Sequence, residues 1–574
     1  MIRNFTLLPV ALLLSVLCYG QSRETITDSD LEGGQSYTWT SDKEYLLDGL
    51  VYLEEGGVLN IEPGTVIRGL PADDISTGDN ASALIIARGA QIFARGTAVE
   101  PIIFTAADDD IDNPNDLNSS LRGLWGGLIV LGNAPITFSA AENGIEGIAS
   151  NEERARFGGD DPADNSGVIN YVSIRHSGFA LSAGNEINGL TLGGVGSGTQ
   201  IDFVEVFATL DDGIEWFGGN VRVDHAVVSY CGDDGMDFDQ GWLGGGQYWF
   251  VLQGPNDIRG TGRAGEHDGA DPDGQMPFSQ PTIYNATYIG IGKGKTTEDG
   301  DANDPNPFGI IFRDNAGGYY YNSIFTDFNG AAVAIEQRED GLPDSYDRLL
   351  AGDLAFRDNL FYNFGAGETP TDLFIAVDPS DDKIVGAATD AVAANFMANG
   401  NLIVNPNLNS EGIDRDDTGG NIDPRPFAFG RAASGAPAAI SGFESTTYYG
   451  AFAPGNGDDN SAWITGWTAL SEQMITDNLI NGVGQVTVNG LVLDAPVPNP
   501  AAISTHLNFE LPVAGEVSIT VLDLLGRPLA HRRRYYGAGP QSETIDVARL
   551  PNGNYLIMLD VAGSRLLQKM VVSH

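Results

Sequence analysis

The chain has 574 residues, with 78 aspartates and glutamates against 30 lysines and arginines and a formal net charge of −48. A polyanion of this kind repels nucleic acid and anionic lipid and suits Ca²⁺ or neutral and cationic partners, which excludes the nucleic-acid-binding classes. It is too long for one compact core, its 75 glycines and 28 prolines fit many tight turns, and its two cysteines cannot pair in the mature chain because Cys18 falls in a leader and leaves Cys231 alone.

In chain order, residues 1–20 read as a secretory signal peptide. Arg3 gives the positive end, 7–17 the apolar stretch, and Cys18-Tyr19-Gly20 a small-x-small cleavage site. No second apolar run of membrane length follows, so an exported protein with no transmembrane segment is expected. Short apolar strands with Gly and Pro corners then begin at 47–53, 57–61 and 65–67, and the theme returns at 83–86, 90–93, 101–105 and 125–131. The plan is clearest between 201 and 241, where Val206, Asp211 and Ile214 recur as Val228, Asp233 and Met236, 22 residues on in each case. A constant offset that returns apolar and acidic residues to the same places marks a solenoid, whose repeat cannot bury its own core. Two helices do not fit in so short a repeat, and the alternation of Ile214 with Trp216 predicts strands, so the coils are read as a parallel β-helix with a rise of about 4.8 Å.

Within that β-helix, assigned to 21–404, the polar stretches 108–120 and 143–166 read as insertions thrown out from coil corners, and 254–307 as the longest acidic excursion, broken at 282–290. Coils resume at 308–312, 318–325 and 331–335, with late ones at 360–362 and 373–376, and 391–399 predicts a short helix capping the open end. Residues 405–493 read as an irregular capping segment wrapped on the last coils. From 494 to 574 the pattern changes to strands at 507–511, 517–521, 542–545, 553–559 and 567–572, the alternation of a small antiparallel Ig-like β-sandwich. The fold class is therefore all-β, a parallel β-helix followed by a sandwich.

That last module carries a recognisable set of motifs: Pro498-Asn499-Pro500, Gly526-Arg527 after two leucines, Gly553 with Tyr555, and Lys569 with Val571 and Val572. Together they resemble the type A C-terminal sorting domain of type IX secretion cargo in Bacteroidota. The resemblance implies recognition by the type IX translocon and its sorting machinery, a secreted or outer-membrane-surface location, and attachment to surface lipopolysaccharide. The body resembles uncharacterised right-handed parallel β-helix surface proteins, a likeness that brings no assigned chemistry.

Chemistry is sought first at the stacked acidic corners, Asp211, Asp212 and Glu215 over Asp233, Asp234 and Asp237. Carboxylates one coil apart repel by roughly 3 to 4 kcal/mol at an effective dielectric of 20, so such a ladder wants a counter-ion, and Ca²⁺ takes six to eight oxygens of this kind. Glu215 and Asp237 alternate with apolar neighbours and are expected to face out from their strands. Asp299, Asp301 and Asn303 match the first half of an EF-hand-type loop but lack its glycine and closing glutamate, and His267-Asp268 with Asp271 and Asp273 is a further cation candidate. No zinc motif is present.

A complete catalytic set is missing. The carboxylate pairs 211–212 and 233–234 suit a hydrolase, but the Gly-His-Gly turn and Arg-x-Lys pair of pectin-degrading β-helices are absent, and Arg313, the best lyase base, is expected to pair with Asp314. The expectation is a non-catalytic cell-surface β-helix that binds a glycan or another cell-surface ligand with bound Ca²⁺. The alternative is a secreted polysaccharide lyase or glycoside hydrolase.

Overall fold

The computed structural model describes residues 22–114, 116–137, 144–182, 185–254, 262–270, 272–293, 308–338, 340–379, 383–409, 423–428, 430–455, 462–472, 485–488, 491–494, 496, 501, 503–522, 527–551, 553–561 and 564–572. Residues 1–20, read above as a signal peptide, lie outside them. Two sheets run along the body, one of 19 strands and one of 11 among the described residues, and nearly all their pairings are parallel. The register is the one the 22-residue offset requires. Ile201 pairs with Val223 across the first sheet, and Ile214, Glu215 and Trp216 pair with Met236, Asp237 and Phe238 across the second.

Each mid-body coil gives the second sheet a short strand, such as Ile214–Phe217, and the first a longer bent one, such as Gln200–Phe207. The bend falls at Tyr171, Phe203, His225 and Tyr248, with φ of 48°, 55°, 46° and 64°. Residues other than glycine are strained there, at about 1 kcal/mol or more each. Ring stacking offsets the cost: Tyr171 lies 4.3 Å from Phe203, and Phe203 lies 4.1 Å from His225, close to the coil repeat.

Inward residues of the second sheet form a column of Leu192, Trp216, Phe238, His267 and Phe312 in successive strands. Trp216 stacks on Trp242 at 4.6 Å and on Trp249 at 5.3 Å, so the lumen is a packed core. His267 belongs to it. Its ring stacks on Phe238 at 3.9 Å, Nε2 is 2.8 Å from the Tyr320 hydroxyl, and burial lowers its pKa to about 3. A neutral histidine inside the lumen cannot share a cation with Asp268 and Asp273 outside it, which corrects that candidate; Asp271 lies outside the described residues.

The 254–307 stretch is not wholly an excursion. Strand Gly265–Asp268 lies in the second sheet between Met236–Asp239 and Phe308–Arg313. The repeat is hidden there because 29 residues, not 22, separate Met236 from its partner Gly265 (265 − 236). Residues 144–166 of the insertion fold onto the outer face of the second sheet, where Ile145, Ile148 and Phe157 pack with Ile85, Ile129 and Leu131. Helix Gly386–Ala398 lies at the far end of the stack, with Phe396 4.9 Å from Phe356 and 5.1 Å from Phe374.

The segment after the last coil does not simply wrap the end. It runs back along the first sheet, where Tyr449, Phe452, Ile464 and Leu470 share a cluster with Phe207, Phe250, Ile289 and Ile324. Trp463 meets His225 edge-on at 5.1 Å and Trp467 meets Tyr171 at 5.4 Å. Buried Glu205 accepts the N–H groups of Ala469 at 2.7 Å and Leu470 at 3.0 Å. The cause is the outward apolar residues on this flank, Phe207, Val227 and Phe250, which need a cover.

The C-terminal module is two four-stranded antiparallel sheets around a core that includes Leu507, Phe509, Val517, Ile519, Ile557 and Leu559. Strands Gln485–Val488 and Leu491–Asp494 belong to it, so the sandwich begins before 494. Strand Pro528–Tyr536 was hidden by three consecutive arginines; Arg532 and Arg534 reach back to Glu543.

Candidate functional site

The site grows from the outer face of the second sheet. Successive strands set Ile85, Ile129, Thr191, Glu215, Asp237, Glu266, Ile311 and Ala334 in one outward column. The middle of the column is therefore three carboxylates deep, between Thr191 on one side and Ile311 on the other. Two residues further along each strand, on the same face, Asp268 pairs with Arg313. Arg313 grips Glu266 and reaches Asp268 at 2.7 Å, and Arg263 grips Glu266 and reaches Asp234 at 3.2 Å.

A second file of polar residues sits at the turn leading into these strands. Asn188, Asp212, Asp234 and Arg263 occupy equivalent places two residues before the paired Leu190, Ile214, Met236 and Gly265. The Asp212 carboxylate accepts the N–H of Asp234 at 2.8 Å, and the Asp234 carboxylate accepts the N–H of Arg263. The following glycine lets the coils close up. A Cβ on Gly213 would lie 2.5 Å from the Gly235 carbonyl oxygen and 2.3 Å from Val228.

Turn and column meet at Asp212. Asp211, Asp212 and Asp233 each place an oxygen within 4.8 Å of the others, and so do Asp212, Glu215 and Asp237. Asp212 is 9% exposed and Glu215 6%. Burial, followed by repulsion from Asp233 and Glu186, pushes Asp211 up to about 8. Burial and then repulsion from Asp237 raise Asp212 and Glu215 well above the usual carboxylate range, and burial with repulsion from Glu266 and Asp268 raises Asp237. Glu266 rises too, through burial and Asp234, although both arginines oppose it. Glu146, on the insertion over this face, is pushed to about 7 by burial and Glu186. Such groups hold either protons or a counter-ion, and an all-oxygen donor set fits a hard cation such as Ca²⁺.

Of the residues singled out in sequence, Asp211, Asp212, Glu215, Asp233 and Asp237 come together, whereas Asp234 turns to Arg263. Asp299, Asp301 and Asn303 lie outside the described residues. Arg313 pairs with Glu266 and Asp268, not with Asp314, which corrects that expectation: alternation puts Arg313 on the outer face beside Asp268, while Asp314 starts a turn at φ 47°. Sequence reasoning missed Asn188, Arg263 and Glu266. Asn188-Gly189 ahead of Leu190 was the available signal, since Asp212-Gly213 stands ahead of Ile214 in the same way.

Of the sorting-signal residues, Pro498, Asn499, Pro500 and Gly526 lie outside the described residues. Arg527 is exposed, Gly553 opens strand Gly553–Val561, and the buried Tyr555 donates its hydroxyl to the Pro551 carbonyl at 2.7 Å. Lys569 and Val571 lie on strand Ser564–Val572, whose Val572 is buried.

A stack of parallel coils with an acidic outer face, followed by an antiparallel sandwich, defines a β-helix protein with an appended C-terminal module. The chain belongs to the family described as the pectate-lyase like beta helix domain, whose model matches residues 32–401, and residues 497–573 match the secretion system C-terminal sorting domain. That sorting domain marks type IX cargo, exported to the cell surface or the extracellular space through the type IX machinery. Among the described residues no helix is long and apolar enough to cross a membrane. No curated protein matches the chain. Among solved structures it is similar to full-length tailspike protein 2 of the Escherichia coli O157:H7 bacteriophage CAB120, at 10% identity and a TM-score of 0.19, over 92% of this chain and 64% of the tailspike. The chain thus spans less than two thirds of that protein's length.

Proposed function

We propose that the exported body is a non-catalytic adhesion protein that binds a glycan through Ca²⁺ held on the acidic outer face, while the sorting module delivers it to the surface and its attachment to lipopolysaccharide. The observation that carries this reading is the convergence of Asp211, Asp212, Asp233, Glu215 and Asp237 on the outside of a filled solenoid. Ca²⁺ neutralises these carboxylates and keeps coordination positions for sugar hydroxyls. The test is retention of the full chain on immobilised neutral and acidic glycans with and without chelator. Calcium-dependent retention that is lost in Asp212→Asn supports the reading, and equal retention with chelator overturns it.

A second reading, glycoside hydrolysis, is favoured by one pair. Asp211 stays in its acid form near neutrality beside Asp233, and their oxygens lie within 4.8 Å, near the roughly 5 Å carboxyl separation of retaining enzymes. Release of reducing ends that Asp211→Asn abolishes would replace adhesion with this chemistry. The lyase variant is the weaker one, because two carboxylates hold Arg313 in its charged form.

A further inference from the structure

We propose that the acidic face seats two cations side by side, with Asp212 shared between them and Asn188 as a further oxygen ligand of the inner one. This rests on the cation-binding reading above and adds its stoichiometry and its missing ligand. The two three-carboxylate groups have only Asp212 in common: the outer one adds Asp211 and Asp233, the inner one Glu215 and Asp237. A single ion of charge +2 among five ionised carboxylates leaves a net −3, much of it shielded from water, whereas two leave −1.

An independent observation marks the inner position. Asn188 is 1% exposed, its Nδ2 donates to Glu215, and its Oδ1 has no hydrogen-bond partner. The Oδ1 of Asp237 is likewise buried without a partner. Two buried oxygens without a hydrogen-bond partner, on residues that both adjoin Glu215, point to a ligand that takes oxygen donors, since a buried oxygen without a partner is costly. The Asn188 nitrogen is turned to Glu215, which leaves the amide oxygen as the group without a partner at this position. The outer position is of different make. Asp233 is exposed, so this ion keeps more water and exchanges more easily.

The test is calorimetric titration of Ca²⁺ into the chelator-treated full chain. Two ions per chain are expected. The pair Asp211→Asn with Asp233→Asn should remove one and leave the tighter, and the pair Glu215→Gln with Asp237→Asn should remove the other. Asp212→Asn should weaken both at least tenfold, and Asn188→Ala only the inner one. The carboxylate changes remove buried repulsion whereas Asn188→Ala takes a donor from Glu215, and circular dichroism melting checks the fold of every variant. One ion per chain in the unmutated protein, or loss of all binding in either double variant, overturns the shared-carboxylate arrangement while leaving a cation site. No uptake at all overturns both that arrangement and the cation reading, the carboxyl groups then holding protons.

Discussion

The outward column of the second sheet contains two regions that share one backbone. At Ile85 and Ile129 it is apolar and lies under Ile145, Ile148 and Phe157 of the insertion, whereas at Glu215, Asp237 and Glu266 it is carboxylate. Register and strand length do not change between them, and the inward column continues through Leu192, Trp216 and Phe238. The lumen therefore sets the coil, and the outer side chains are left to serve as cover in one region and chemistry in the other.

Substitution on the two sides breaks or sharpens that contrast. The largest effect is expected for Phe157→Ala, which empties the cover over the apolar region and should cost about 3 to 5 kcal/mol in denaturant unfolding. Glu215→Gln in cation-free protein should cost nothing or stabilise; equal losses in the two would remove the distinction. Next comes pH. Asp211 titrates near 8 in the fold against 3.8 for the unfolded chain, so its contribution is complete below about pH 4 and lost as pH rises through 8. Cation-free protein should melt higher at pH 5 than at pH 8, and saturating Ca²⁺ should narrow the gap; an unchanged melting temperature across this range would refute the buried acid cluster. Arg313→Gln leaves Glu266 and Asp268 facing each other and should cost about 1 to 2 kcal/mol, less at low pH. Smallest is Arg533→Ala, which removes an exposed pair with Glu516 and should move sandwich stability by no more than about 0.5 kcal/mol.

The contrast also explains what could be read in advance. Val206 and Val228 recur because lumen packing enforces the repeat, and the same alternation puts Glu215 and Asp237 outside. Glu266 and Arg263 escaped because the coil before them is lengthened, so the register is kept in space but not in sequence. Asn188 escaped because it carries no charge and is marked only by its place, Asn188-Gly189 before Leu190 as Asp212-Gly213 stands before Ile214. The path of 430–455 and 462–472 was illegible for another reason: its contacts with Phe250 and Tyr171 are long-range, and nothing local in Trp463 or Trp467 names the ring it will meet. In the sandwich, side chains at 532 and 534 that bond across to Glu543 replaced the apolar residues by which a strand is recognised.

The returning segment also has a mechanical consequence. It leaves the last coil near Leu402, passes Ile324 and Phe250, and is fastened at Glu205 before the chain enters the C-terminal module. A pull arriving through that module therefore enters the stack at mid-length and must first shear Trp463, Trp467 and the Glu205 contacts along the flank, so the terminal coil is not peeled away one ladder of hydrogen bonds at a time. A solenoid tethered by its end would unzip; this one is loaded in shear.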